Sequence, residues 1–191
     1  MRPEKIDLGA KTFLYPMPAT LIGAIVNGKP NIITIANCGC VDQNPPMVAV
    51  GINQAHYTNN GIVEQKAFSV NIPSADMVVV TDYCGLASGR NIDKSRIFDI
   101  FYGQLKNAPM IAECPVCMEC KLVKHFELPH HDVFIGEIVA TYSEKKFITD
   151  GLPDIGKIDP IVYSHRDRNY WRFGEHLGKA WSIGKQYGPL K

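Results

Sequence analysis

The sequence predicts a mainly β protein, built as an antiparallel β-barrel with helices packed outside it. Short runs of β-branched residues recur along the chain, an Asn-Gly turn joins the first two of them, and few segments have a helical pattern. About seven or eight strands with so few helices favour a barrel that closes on itself. No repeat, low-complexity tract or linker interrupts residues 1–191, so we expect a single domain.

Strand signals recur from Thr20 onwards. Thr20–Val26 and Asn31–Ala36 flank the Asn-Gly turn and are expected to form a hairpin. From Val116 to Leu122 apolar and polar side chains alternate, which is typical of a half-buried strand. The remaining strands are expected at residues 47–52, 68–72, 133–142, 161–163 and 170–173.

Two helices are expected between these strands. Thr58 is a good N-cap for the first helix, which runs to Lys66. Ser74 is expected to cap the second helix, which ends near Cys84 because Gly85 can adopt the left-handed conformation.

Composition argues against several classes of protein. Hydrophobic residues make up 46% and charged residues 20% of the chain, as in ordinary globular proteins. A net charge of +1 gives no reason to expect nucleic acid or an anionic membrane as a partner, and no apolar run approaches the roughly 20 residues that span a bilayer. The N-terminal residues lack the apolar stretch of a secretory signal, so we expect a cytoplasmic protein with reduced cysteines.

The cysteine spacing raises the possibility of a metal or iron–sulfur site. Cys114, Cys117 and Cys120 form a C-x-x-C-x-x-C run that resembles part of a ferredoxin motif. On a strand, however, Cys117 would face away from the other two, and a fourth ligand at ferredoxin spacing is missing. The adjacent His130 and His131 would also face opposite ways. We therefore predict no metal site and expect the cysteines to be buried apolar residues.

Two polar segments have the composition of a ligand site. Residues 37–46 leave the second strand as a glycine-containing loop, whose donors and acceptors suit the pyrimidine ring of a flavin; an ordinary turn is the alternative. At the first helix, free backbone N–H groups, the Thr58 hydroxyl and a charged His56 would bind one phosphate, although a plain N-cap has the same pattern. The chain lacks glycine-rich nucleotide motifs and shows no second basic pocket, so FMN is favoured over NAD or FAD.

Seven motifs in a fixed order connect the chain to a known family. They are Tyr15–Pro18, Thr34–Asn37, His56–Thr58, Phe68–Pro73, Asp82–Gly85 followed by Ser88–Arg90 and Asp93–Lys94, Glu113–Pro115, and His131 before Gly136-Glu137. In these motifs, over nearly its whole length, the chain resembles the flavin reductase-like FMN-binding split barrels, and most closely the flavoredoxin branch.

The resemblance implies where FMN would bind. The cofactor-binding residues would be Thr34, Ile35, Ala36, Asn37, Cys38 and Gly39 at the flavin ring, His56, Tyr57, Thr58 and Asn59 at the phosphate, and Cys84, Gly85, Ser88 and Lys94 in a segment closing over the cofactor. His131 matches a histidine near the nicotinamide or acceptor side of the flavin, and is the residue expected to act in turnover. Family members are commonly homodimers, which would also cover the barrel edges.

The resemblance also implies a function, with alternatives. The expected function is that of a flavoprotein oxidoreductase, which transfers electrons from NAD(P)H or a protein donor through bound FMN to an acceptor. Relatives that reduce free flavin usually have a bulky residue where this chain has Cys38-Gly39-Cys40, which argues against that role. An FMN-binding electron carrier without its own NAD(P)H activity is the main alternative, and a ligand-binding barrel without redox function is the third.

Overall fold

A computed structural model describes residues 3–188. Its main sheet has seven antiparallel strands, β1 Thr20–Val26, β2 Lys29–Ile35, β3 Cys38–Gln43, β4 Pro46–Asn53, β5 Ala67–Ile72, β6 Val116–Glu127 and β7 His131–Ser143. The strands lie in the order β2-β1-β5-β6-β7-β4-β3. The two edge strands, β2 and β3, follow each other directly in the chain, so the barrel is split between them.

The interior of the sheet is filled by one apolar cluster. Ile22, Ile33, Val50, Phe68 and Phe134 come from five different strands and are all buried in this cluster. Side chains from so many strands meet only when the sheet curves around them. The predicted mainly β, antiparallel class is therefore confirmed.

Local sequence signals explain the first hairpin. Asn27 and Gly28 have φ angles of 50° and 74°, the left-handed values that a two-residue hairpin turn needs, and Val26 pairs with Lys29 across it. Gly and Asn adopt such angles at little cost. The predicted hairpin is confirmed.

The helices and short strands surround this barrel. The helices are α1 Thr58–Gln65, α2 Val78–Leu86 and α3 Ile155–Ile158, with 3-10 turns at Ala75–Met77, Lys94–Arg96, Lys145–Phe147 and Ile183–Tyr187. The short strands are Met17–Pro18, Ile100–Phe101, Met110–Ile111, Ile148–Thr149, Leu152–Pro153, β8 Val162–Ser164 and β9 Asn169–Trp171. β8 and β9 form a separate three-stranded sheet with Met17–Pro18. Within residues 3–188, no helix has the length and apolar character needed to cross a membrane.

Two helix predictions are wrong in detail. Tyr57, not Thr58, occupies the N-cap position of α1, and the Thr58 hydroxyl accepts a hydrogen bond from Asn31 Nδ2 at 2.7 Å. Ser74 makes no capping hydrogen bond through its side chain, and α2 continues through Gly85. α2 packs against β1 and β2 in a second apolar cluster, in which Cys84 meets Leu21 and Ile32.

Two strand predictions are also corrected. Much of the segment 37–46 is not a loop, because β3 pairs with β4 from Cys38 to Gln43 and so gains backbone hydrogen bonds. Cys114 precedes β6, so strand alternation does not apply to it: Cys114 and Cys117 share the second cluster, whereas Cys120 lies in the barrel interior. Among the described residues, no three His, Cys, Asp or Glu side chains are grouped as metal ligands.

Glu119 departs from the alternation pattern, because it is fully buried although the pattern places it on a polar face. Residues 103–105 cover this face of β6. The Glu119 carboxylate accepts hydrogen bonds from Tyr142 Oη at 2.6 Å and from the backbone N–H groups of Gln104 and Leu105 at 2.9 and 2.7 Å. The carboxylate therefore ties this loop to the barrel.

We expect Tyr142→Phe to lower the free energy of unfolding by about 1.5 kcal/mol, because it removes one hydrogen bond to a buried charge. Urea unfolding measures this change. Tyr187→Phe is the control, since Tyr187 is 81% exposed and should change stability by less than about 0.5 kcal/mol. Equal values for the two variants would contradict a stabilising role for the Tyr142 hydroxyl.

Candidate cofactor-binding site

A cleft of about 330 Å³, here called the main cleft, opens beside the split between β2 and β3. The end of β2, the end of β4 with the turn before α1, the end of α2, the start of β7 and the β8–β9 hairpin meet there, together with Ala19 before β1. The predicted site residues that line it are Thr34, Ile35, Ala36, Asn37, His56, Gly85 and His131. The fold thus brings together residues from distant positions in the sequence.

A second pocket of about 240 Å³, the α1 pocket, continues the main cleft, because His56 and Gly85 line both. Tyr57, Thr58, Ser88 and Lys94 are the other predicted site residues around it. Lys94 Nζ donates to the carbonyl oxygens of Cys84 and Ala87, both at 3.0 Å, near the end of α2. An ammonium group has three hydrogens, so one remains for a ligand in this pocket.

The charged side chain that lines the α1 pocket is that of Lys94, and it acts on the neighbouring His56. Burial lowers the pKa of His56, and the nearby Lys94, His131 and Arg90 lower it further. His56 is therefore neutral at pH 7 in the free protein, contrary to the charged form expected from sequence. The Lys94 ammonium makes the pocket a favourable place for an anion.

Backbone and side-chain contacts hold the cleft residues in place. Gly51 N donates to Asn37 O at 2.7 Å, and a Cβ atom on Gly51 would lie only 3.2 Å from Asn37 Cβ. Asn59 Nδ2 donates to Asn53 O at 3.2 Å and to Asp132 Oδ2 at 2.9 Å. Asn59 thus links the end of β4 to β7 at the point where His131 pairs with Asn53.

Four predicted site residues lie outside both pockets. Asn59 has the supporting position just described. Cys38 packs against the barrel interior, where burial raises its thiol pKa to about 12, and Gly39 is exposed on the edge strand. Cys84 lies on the buried face of α2, and this burial raises its thiol pKa to about 11, against the opposing effect of Lys94. Both thiols are therefore protonated at neutral pH.

Sequence reasoning missed the residues that the β8–β9 hairpin contributes to the main cleft: Tyr163, His165 and Tyr170. The hairpin is fastened to α2, because Tyr170 Oη donates to Asp82 Oδ1 at 2.9 Å. No local pattern signals this contact. Asn53, at the end of β4, also lines the main cleft but was not among the predicted site residues.

Comparisons with known proteins agree with this architecture. The family model described as "Flavin reductase like domain" matches residues 12–172. The solved flavoredoxin of Methanosarcina acetivorans is 48% identical, with a TM-score of 0.94 over 97% of this chain and 100% of that chain. The flavoredoxin of Desulfovibrio vulgaris (Miyazaki F) is 39% identical, with a TM-score of 0.88 over 95% and 100%. An uncharacterized protein of Archaeoglobus fulgidus is 31% identical over 157 residues, 81% of this chain and 86% of that protein. The chain belongs to the flavin reductase-like family.

Proposed function

We propose that this chain binds FMN and acts as a flavoprotein oxidoreductase, passing electrons from NAD(P)H or a protein donor to an acceptor. The observation that carries this proposal is the continuous groove formed by the main cleft and the α1 pocket, with the Lys94 ammonium at one end. A wide cleft lined by backbone and amide groups suits the flavin ring, and the cationic pocket suits its single phosphate. When bound, FMN supplies the redox chemistry.

The residues divide into three roles in this proposal. Residues 34–37 provide polar groups at the ring edge, and Thr58, Ser88 and Lys94 hold the phosphate. Cys38, Gly39, Asn59 and Cys84 support the walls and do not contact the cofactor through their side chains. His131 orients the electron donor or stabilises charge during transfer. We further propose a single domain and a cytoplasmic homodimer, in which a second copy covers the exposed edge of the barrel.

The test is a titration of the apoprotein with FMN, followed by anaerobic mixing with NADH or NADPH while the flavin absorbance is recorded. We expect stoichiometric binding and reduction by at least one nicotinamide. Bound flavin that is reduced only by a reduced redox protein would instead identify an electron carrier. Failure to bind FMN would contradict the proposed function.

We expect Thr58→Ala to weaken FMN binding by about 1 kcal/mol, or roughly fivefold, by calorimetry. The Thr58 hydroxyl accepts a hydrogen bond from Asn31 and keeps its own hydrogen for the phosphate. Thr58→Ser is the matched control and should retain most of the affinity. Unchanged binding in the alanine variant would move the phosphate site elsewhere.

We expect FMN binding to be accompanied by proton uptake at His56. Burial and neighbouring cations lower its pKa in the free protein, and a bound phosphate dianion favours the charged imidazole and so raises that pKa again. The affinity for FMN should therefore increase as the pH falls toward the pKa of His56 in the free protein. Calorimetry near pH 6.5 in two buffers of different ionisation heat measures the uptake. His56→Gln should remove it, and equal uptake in both proteins would contradict the assignment.

A further inference from the structure

A buried carboxylate follows His131 on β7. Asp132 is the second residue of this strand, and its side chain belongs to a residue that is only 8% exposed. Because adjacent residues on a strand point to opposite faces, Asp132 faces away from the main cleft that His131 lines. The roles proposed for the cofactor-binding residues leave this carboxylate without a function.

The Asp132 carboxylate contacts three polar side chains. Asp132 Oδ2 accepts a hydrogen bond from Asn59 Nδ2 at 2.9 Å, and Asp132 Oδ1 accepts one from Gln54 Nε2 at 3.3 Å. His125 Nε2 lies 3.3 Å from the same Oδ1 atom, and the His125 ring stacks on Phe134 with 4.7 Å between the ring centres. Burial of a carboxylate is costly unless it has such partners, so the folded protein strongly favours these contacts.

The orientation of Asn59 depends on this carboxylate. Asn59 Nδ2 carries two hydrogens, of which one goes to Asp132 and the other to the carbonyl oxygen of Asn53 at 3.2 Å. Asn59 Oδ1 is buried and makes no hydrogen bond within the described residues 3–188. The hydrogen bonds that hold this side chain are therefore the two that Nδ2 donates.

Asn59 lies in the first turn of α1, directly after the residue proposed to bind phosphate. That residue, Thr58, lines the α1 pocket, whereas Asn59 and Asp132 do not. The contacts of Asn59 tie the start of α1 to the end of β4 through Asn53 and to β7 through Asp132. A helix start that is held in this way loses less entropy when a ligand binds to it.

We propose that Asp132 is a positioning residue for the phosphate of the cofactor, and that it acts on Thr58 through Asn59. This inference rests on the proposed function, which places the FMN phosphate in the α1 pocket. Asp132 does not touch the ligand. It holds the first turn of α1 in place, while the Thr58 hydroxyl accepts its hydrogen bond from Asn31 and keeps its own hydrogen for the phosphate.

The test compares FMN with riboflavin, which lacks the phosphate, in fluorescence titrations of apoprotein variants. Asp132→Ala removes both acceptor oxygens and should weaken FMN about fivefold while changing riboflavin by less than about twofold. Asp132→Leu keeps the volume of the side chain and should give the same result if the alanine variant fails to fold. Asp132→Asn keeps one oxygen for Asn59 and should retain most of the FMN affinity.

Tyr142→Phe is the matched control. It also removes a hydrogen bond to a buried carboxylate, that of Glu119, but Tyr142 lies near the other end of β7 and lines neither the main cleft nor the α1 pocket. This variant should leave the affinities for both flavins unchanged. A loss of FMN affinity equal to that of Asp132→Ala would show that lower stability alone weakens binding, and would overturn the proposal.

A double-mutant cycle tests the path through Asn59. Asn59→Ala should weaken FMN about fivefold, and the double variant with Asp132→Ala should also lose about fivefold; independent effects would multiply to about twenty-fivefold and would contradict the path. If the wild type binds FMN but the Asp132→Ala and Asp132→Leu variants weaken neither flavin, or weaken both equally, this proposal alone is overturned. If the wild type binds neither flavin, this proposal and the proposed function both fall.

Discussion

Replacing Lys94 by methionine is expected to weaken FMN binding about thirtyfold, equivalent to roughly 2 kcal/mol. Lys94 lines the α1 pocket, and two of its ammonium hydrogens are held by the carbonyl oxygens of Cys84 and Ala87. The third ammonium hydrogen is therefore held in a fixed direction before the ligand binds, which reduces the entropy lost on binding. Methionine keeps the apolar length but removes the charge.

Riboflavin separates a phosphate contact from a structural effect. It has the flavin ring but no phosphate, so Lys94→Met should change its affinity by less than about twofold. Fluorescence titration of both flavins with both proteins measures the difference. Lys94→Arg, which keeps the charge, should lose less FMN affinity than Lys94→Met. An equal loss of riboflavin and FMN would show that Lys94 stabilises the end of α2 and does not bind the phosphate.

The second large effect is expected at His131. His131→Ala should keep the FMN stoichiometry but slow reduction by the physiological donor about tenfold or more, equivalent to roughly 1.4 kcal/mol of barrier. His131 lines the main cleft at the start of β7, where it pairs with Asn53, and it does not line the α1 pocket. Its contribution should therefore be to orient the donor and not to hold the phosphate.

His130 provides a matched control, because it is the exposed neighbour of His131 and lines neither pocket. Stopped-flow reduction of FMN-loaded His130→Ala should match the wild type. Loss of FMN from folded His131→Ala would make His131 a cofactor ligand. An unchanged rate would make it an ordinary strand residue and would favour the electron-carrier function.

The candidate site was only partly predictable from sequence. His56 was predicted because polar groups before a helix have a recognisable local pattern, and residues 34–37 and His131 were predicted through the family resemblance; the structure places all of them at the main cleft. The ionisation state of His56 was not predictable, since its pKa is lowered by burial and then by Lys94 and Arg90, which approach it only through folding. Cys38 and Cys84 lie outside both pockets, which was not predictable because sequence position does not reveal which face of an element is buried.

The sequence by itself determined the elements whose causes are local. The Asn27-Gly28 turn needs left-handed angles that few residues adopt, and β-branched alternation specifies strands such as β4. Tertiary structure decided the rest: β3 became a strand by pairing with β4, Glu119 was buried by residues 103–105, and the β8–β9 hairpin reached the main cleft. These outcomes depend on contacts between segments that are distant in the sequence. The free energy of such contacts can exceed the free energy of local conformational preference, and the contacts leave no pattern in any one stretch of sequence.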